Sequence, residues 1–98
     1  MRFMWLPYYR GSRLAGWVEI ACSENSLRAV DCDPKSGIGI AVASVELVPG
    51  REKAAAQVLL KRLQAWAQGL NCDFWPELET ERWARAIAAW IRPGVESW

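Results

Sequence analysis

The sequence predicts an α+β domain in which a four-stranded, mostly antiparallel sheet is followed by two helices packed on one face. Turn-forming residues separate β-rich runs in the first half, and two amphipathic stretches fill the second half. Strands followed by helices are typical of the α+β class. A chain of 98 residues without a linker or an internal repeat suits one domain, residues 1–98, built on one hydrophobic core. The predicted strands cover residues 2–9, 14–22, 27–32 and 38–48, and the predicted helices cover residues 51–68 and 76–92.

The first two strands are predicted to form a hairpin around Gly11-Ser12. A two-residue loop that begins with Gly favours a type I′ or II′ turn, because Gly accepts a positive φ. The loop places Arg10 opposite Arg13, and an uninterrupted register then pairs Trp5 with Val18. Side chains alternate between the two faces of a strand. The face that contains Trp5 and Val18 is apolar throughout, so it is predicted to be the core face. Its members are Phe3, Trp5, Pro7, Tyr9, Leu14, Gly16, Val18 and Ile20.

The opposite face of this hairpin mixes large apolar residues with charged ones, which is unusual for a solvent-facing surface. Pro7 cannot donate to a ladder, so the first strand is predicted to be an edge strand or to carry a bulge there. The members of the mixed face are Arg2, Met4, Leu6, Tyr8, Arg10, Arg13, Ala15, Trp17, Glu19 and Ala21.

The registers of the third and fourth strands stay open. If Val30 and Cys32 face the core then Asp31 faces outward, and a slip of one residue reverses this arrangement. Residues 33–37 form a strong turn signal. In the fourth strand Ile38, Ile40 and Val42 share one phase, whereas Val45 and Leu47 occupy the other. A bulge near Ala43-Ser44 reconciles the two phases, and partial cover of both faces is the alternative.

The first helix is predicted from an apolar stripe at helical spacing, with Gly69 at the position that ends it. In the second helix Pro76 suits the first turn, while glutamates near the start and Arg92 near the end match the helix dipole. The glutamates are Glu77, Glu79 and Glu81. The first stripe consists of Ala56, Leu59, Leu60, Leu63, Trp66 and Ala67, and the second of Trp83, Ala86, Ile87, Trp90 and Ile91.

Composition argues against several function classes. The chain has no His and a formal net charge of +1, which removes the commonest general base and any broadly basic nucleic-acid binder. The three Cys lack paired spacing, so free thiols in a reducing cytoplasm are expected. No apolar run approaches the roughly 20 residues that a membrane helix needs. We therefore expect a cytoplasmic protein without a membrane anchor.

Catalytic and metal-binding patterns are weak. Gly37-Ile38-Gly39 precedes a strand instead of a helix, so a turn is favoured over a phosphate loop. Asp31 and Asp33 bracket Cys32 and could share a strand face as a carboxylate pair, but a turn-initiating Asp33 and a solvated Asp31 are the favoured interpretation. The sequence predicts no catalytic residues, no cofactor and no metal.

The seven Trp carry the remaining functional signal. Trp5 and the three helical Trp have predicted core positions, whereas Trp17 lies on the mixed face and Trp75 precedes a Pro in a loop. Exposed aromatic, Met and Arg side chains are enriched at protein interfaces. The predicted interaction surface consists of Met4, Leu6, Tyr8, Arg10, Arg13, Trp17 and Trp75.

The sequence thus predicts a small, non-enzymatic interaction module, of a kind common among phage and mobile-element accessory proteins and inhibitors. A protein partner or a second copy is expected to bind the mixed face, unless the chain itself covers that face. Single-stranded nucleic-acid binding by the sheet and a small-ligand pocket between sheet and helices are the alternatives.

Overall fold

A computed structural model of the protein describes residues 2–32, 39–74 and 80–91. These residues form a curled antiparallel sheet followed by helices, which confirms the predicted α+β class and the order ββββαα. A short additional strand lies between the helices. The elements are β1 (Arg2–Arg10), β2 (Arg13–Cys22), β3 (Ser26–Cys32), β4 (Gly39–Glu46), α1 (Glu52–Gly69), β5 (Asp73–Phe74) and α2 (Thr80–Ile91).

The strands are ordered β4-β3-β2-β1-β5 across the sheet. β5 pairs with β1 only at Tyr8 and Tyr9, so in the described residues the preceding part of β1 is an edge. Pro7 lies in that part, as its missing N–H requires. Among the described residues, no helix is long and apolar enough to cross a membrane.

The β1–β2 hairpin has the predicted turn but a different register. Gly11 has a φ of +61°, and Arg10 pairs with Arg13 as expected. Beyond the turn, Tyr8 pairs with Gly16 and Tyr9 with Leu14, so β2 contains one extra residue, Ala15. This bulge shifts all the following pairs by one position.

The shift overturns the predicted faces of β1. Trp5 lies opposite Glu19 instead of Val18, and Leu6 takes the place opposite Val18. Leu6 is accordingly buried, whereas Phe3 and Trp5 are 51% and 52% exposed. The core prediction is therefore wrong for β1 and correct for Val18 and Ile20 of β2, because a one-residue slip between two strands moves one strand's side chains to the other face.

A second bulge lies in β4. Ala29 pairs with Ala43 but Val30 pairs with Ala41, which leaves Val42 as the extra residue. The bulge therefore precedes the predicted Ala43-Ser44 position by one residue. It joins two phases, as the sequence suggested: Val45 is buried, whereas Ile40, before the bulge, is 66% exposed.

The apolar stripe of α1 faces the sheet as predicted, and Trp66 packs partly buried beside it. The residue in the left-handed conformation is Asn71 (φ +57°), not Gly69, which is the last helical residue. The Cys72 N–H donates to the Ala67 carbonyl (2.8 Å) and the Asn71 N–H to the Gln68 carbonyl (3.0 Å). This is a Schellman motif, which Asn as well as Gly can form.

Helix α2 buries Ala84, Ile87, Ala88 and Ile91, whereas Ala86, predicted to be in the stripe, is exposed. Two further groups of contacts hold α2, one from Arg2 of β1 and one from Lys53 and Gln57 of α1. The Arg2 guanidinium donates to the carbonyls of Trp90 and Ile91 and lies over the Trp90 ring at 5.2 Å. Lys53 and Gln57 of α1 contact Glu81 at 2.5 and 3.1 Å. The predicted roles of Pro76, Glu77, Glu79 and Arg92 lie outside the described residues.

Candidate protein-interaction face

The side of the β1–β2 hairpin that points away from the helices carries four large exposed side chains. Trp5, Phe3 and Leu14 are each about half exposed, and Trp17 is 38% exposed. We call Phe3, Trp5, Leu14 and Trp17 the aromatic face. Its residues lie along one ladder with a bulge at Ala15, because Phe3 pairs with Ala21, Trp5 with Glu19, Pro7 with Trp17 and Tyr9 with Leu14.

The two Trp of this face are close neighbours. Trp5 pairs with Glu19, two residues from Trp17, so the indoles stand at diagonal positions on adjacent strands. Such positions are about 7–8 Å apart, within reach of aromatic side chains. The exposed fractions of the four residues correspond to about 400 Å² of surface, which is within the range of the largest apolar patch on a typical monomer, a patch that is often functional.

Glu19 is the acidic group within this patch. It lies between Trp5 of β1 and Val30 of β3, and Arg28 occupies the diagonal position on β3. The described residues contain no ion pair to the Glu19 carboxylate within 4.0 Å. Cys32, which pairs with Trp17, is half-buried, and burial followed by the nearby Glu19 charge raises the pKa of its thiol. The face is thus apolar, with one half-buried carboxylate near its centre.

The predicted interaction surface is divided by the structure. Trp17 is exposed as expected, but Leu6 and Tyr8 are buried in the core and Met4 packs against it. Arg10 and Arg13 are exposed at the hairpin tip, where Arg10 donates to the Leu70 carbonyl (3.1 Å) on the helix side. Trp75 lies outside the described residues.

Phe3 and Trp5 were assigned to the core face because β1 is apolar at both odd and even positions, and Leu14 was assigned there because the bulge at Ala15 was not expected. Both faces of β1 therefore carry large apolar residues, and the register decides which of them meets the core. The register depends on the extra residue Ala15, which resembles any other strand residue in the sequence. Helical Trp66, Trp83 and Trp90 are partly buried against the core, as predicted.

Tyr8 fixes the hairpin from its inner side. The ring crosses β2 above Gly16, and its hydroxyl donates to Oδ1 of Asp31 on β3 at 2.7 Å. Trp66 and Phe74 meet the ring edge-on, with centroids 5.2 and 6.0 Å away. Burial, followed by the hydrogen bond to Asp31, raises the pKa of Tyr8 well above its ordinary value of 10.

This contact also settles the register of β3. Asp31 pairs with Val18 and faces the helix side, whereas Val30 and Cys32 face outward. Asp31 therefore binds a tyrosine hydroxyl, and the predicted carboxylate pair with Asp33 falls outside the described residues. Within the described ranges, no group of three acidic, Cys or His side chains could hold a metal ion.

Comparisons with protein-family models, with curated proteins and with solved structures find no match to this chain.

Proposed function

We propose that the protein is a small interaction module that acts by binding a partner protein through the aromatic face. The supporting observation is the exposure of Trp5 and Trp17, at 52% and 38%, on adjacent strands of one sheet face. Trp is among the residues that contribute most to binding energy at interfaces. A rigid sheet presents both indoles without further ordering, which lowers the entropic cost of association.

The chemistry of the face specifies the kind of partner. Its apolar area calls for a complementary apolar surface, and the Glu19 carboxylate calls for a basic or hydrogen-bond-donating group near the centre. A second copy supplies this group poorly, since two-fold stacking would bring another Glu19 toward the same aromatic centre. A different protein, with a basic side chain among apolar ones, fits better.

Charge also separates a protein partner from a nucleic acid. Single-strand binders combine stacking aromatic residues with a continuous basic groove along the phosphates. Arg28 and Glu19 are the charged residues beside the two indoles on adjoining strands, so their charges offset each other. The face therefore has aromatic side chains on which bases could stack, but among the described residues Arg28 and Glu19 do not form a basic groove beside them.

Photo-cross-linking followed by calorimetry tests the proposal. A benzoylphenylalanine placed at Leu14 captures and identifies the partner in the cells that express the protein, and the purified partner is then titrated. Trp5→Ala and Trp17→Ala should each weaken binding by about tenfold to a hundredfold, as expected for interface hot spots. The matched control is Ile40→Ala, which removes a 66% exposed apolar side chain from outside this face.

Three results would contradict the proposal. One is a partner whose affinity is equal for the wild type, Trp5→Ala and Trp17→Ala. Another is a dimer in light scattering that Trp17→Ala dissociates, which would assign the face to a second copy. The third is quenching of Trp fluorescence by a short single-stranded oligonucleotide at low salt, where phosphate contacts are strongest.

A further inference from the structure

A second surface lies at the opposite margin of the sheet, where the edge strand β4 runs beside α1. The two elements border an open groove of about 350 Å³. Ala54 and Val58 of α1 and Val48 after β4 give it an apolar lining, and Val48 and Val58 are each 43% exposed. This exposed Val58 was not part of the predicted helix stripe.

In the described residues, β4 directs backbone hydrogen-bonding groups that no other strand pairs with toward this groove. The Leu47 N–H donates to the Asn25 carbonyl (2.9 Å), on the β3 side. Backbone groups of successive strand residues alternate in direction, so those of Ser44 and Glu46 point to the open margin. The Arg62 guanidinium confirms this direction, because it donates to the Ser44 carbonyl at 2.8 Å.

The groove is positively charged at both ends. Arg62 lies beside Ser44 at one end, and Arg51 lies beside Val48 at the other. The acidic residue of the lining, Glu46, alternates with the buried Val45, so its side chain points to the other face of the sheet. In the described residues, neither arginine forms an ion pair.

We propose that this groove binds an extended segment of a partner protein as an additional strand on β4. The segment presents an apolar side chain to Val58 and an acidic side chain to each arginine. Residues i, i+2 and i+4 of a strand face one side and span about 13 Å. Arg51 and Arg62 are separated by about 16 Å along a helix, so the arginine side chains can reach both acids.

Binding exchanges one set of contacts for another. A backbone N–H of the added strand replaces the Arg62 guanidinium at the Ser44 carbonyl, and the released guanidinium pairs with the acid. Main-chain bonds to Glu46 supply affinity, while the alternate side chains supply specificity. The arginine contacts make binding weaker at high salt.

The test uses a fluorescein-labelled peptide with an alternating pattern, Thr-Asp-Thr-Val-Thr-Asp-Thr, with its ends blocked, in a polarisation titration. Glu46→Pro and Glu46→Ala form a matched pair, since both remove the carboxylate and only proline removes the N–H that faces the margin. Glu46→Pro should weaken binding by at least about tenfold relative to Glu46→Ala. Arg51→Gln and Arg62→Gln should each weaken it by about fivefold.

A second measurement keeps the test independent of the folding of Glu46→Pro. The wild type is titrated with two N-methylated peptides, one methylated at the Asp and Val amides and the other at the inner Thr amides. One of them should lose binding and the other should keep it, because alternate amides of an added strand face β4.

The proposal is overturned if the unmodified peptide does not bind at about 1 mM, a concentration that detects even very weak affinity. It is also overturned if a peptide with Lys in place of both Asp residues binds as tightly as the unmodified peptide. The same holds if both N-methylated peptides bind as tightly as the unmodified peptide. A dimer that Glu46→Pro alone dissociates would assign the edge to a second copy. Trp17→Ala should leave peptide affinity unchanged, which separates this test from that of the aromatic face.

Discussion

Replacing Gly16 by a larger residue should destabilise the sheet, because Tyr8 occupies the space where a side chain would lie. A Cβ at position 16 would lie 2.4 Å from the Tyr8 hydroxyl oxygen and 2.6 Å from Cζ. Carbon atoms normally approach to about 3.5–4.0 Å, so Gly16→Ala requires the ring to move by about 1 Å. Trp66 and Phe74, which meet the ring edge-on, oppose that movement.

The loss of stability follows from these contacts. Overpacking a well-filled core costs about 1–3 kcal/mol. Displacing the hydroxyl also breaks its hydrogen bond to the Asp31 carboxyl group, which is worth about 1–3 kcal/mol. Ala offsets about 0.5–1 kcal/mol through its lower backbone entropy in the unfolded chain. Taken at the middle of these ranges, Gly16→Ala should lower the free energy of unfolding by about 3 kcal/mol, which corresponds to roughly 12–24 °C in Tm.

Urea denaturation followed by Trp fluorescence measures this effect. Gly69→Ala is the matched control, because a Cβ there has no atom within 4 Å and the change should be neutral or stabilising. In a Tyr8→Leu background the ring is absent, so Gly16→Ala should cost at least about 1 kcal/mol less than in the wild type. An equal cost in the two backgrounds, or a cost below about 0.5 kcal/mol in the wild type, would refute the role assigned to the Tyr8 ring.

Other perturbations test further contacts of the fold. Because the raised pKa of Tyr8 favours the protonated hydroxyl in the folded state, the contribution of Tyr8 to stability should be retained below about pH 10 and lost above it, by up to about 1.4 kcal/mol per pH unit. Tyr8→Phe should therefore reduce the fall of the urea midpoint between about pH 10 and 11, while the fall caused by the raised thiol pKa values of Cys22 and Cys32 stays; an equal fall in the two proteins over this interval would contradict the reasoning. Arg2→Met should cost about 1–2 kcal/mol and increase hydrogen exchange at the end of α2, because it removes the contacts to the helix carboxyl end and to the Trp90 ring; unchanged exchange there would contradict this. Lys53→Met should barely change the urea midpoint at any salt concentration, since Lys53 and Glu81 are about half exposed; a large, salt-sensitive loss would show that the pair matters more than its exposure indicates.

The sequence by itself determined the fold class, the element order and most of the helix packing. Helix α1 is an example, because its apolar residues recur at a spacing that places them on one side whatever their neighbours are. The hairpin turn at Gly11-Ser12 was also predictable, since a positive φ restricts the residue type locally. Both features depend on residues within a few positions of each other.

Only the tertiary structure decided which side of β1 faces solvent. Trp5 and Leu6 are both apolar, and their places were exchanged by one unpaired residue, Ala15, on the neighbouring strand. The same holds for Asp31, whose direction became clear only through the Tyr8 hydroxyl that reaches it across Gly16. These choices depend on pairing between strands, and a strand that is apolar on both faces carries no periodic signal that distinguishes one register from the next.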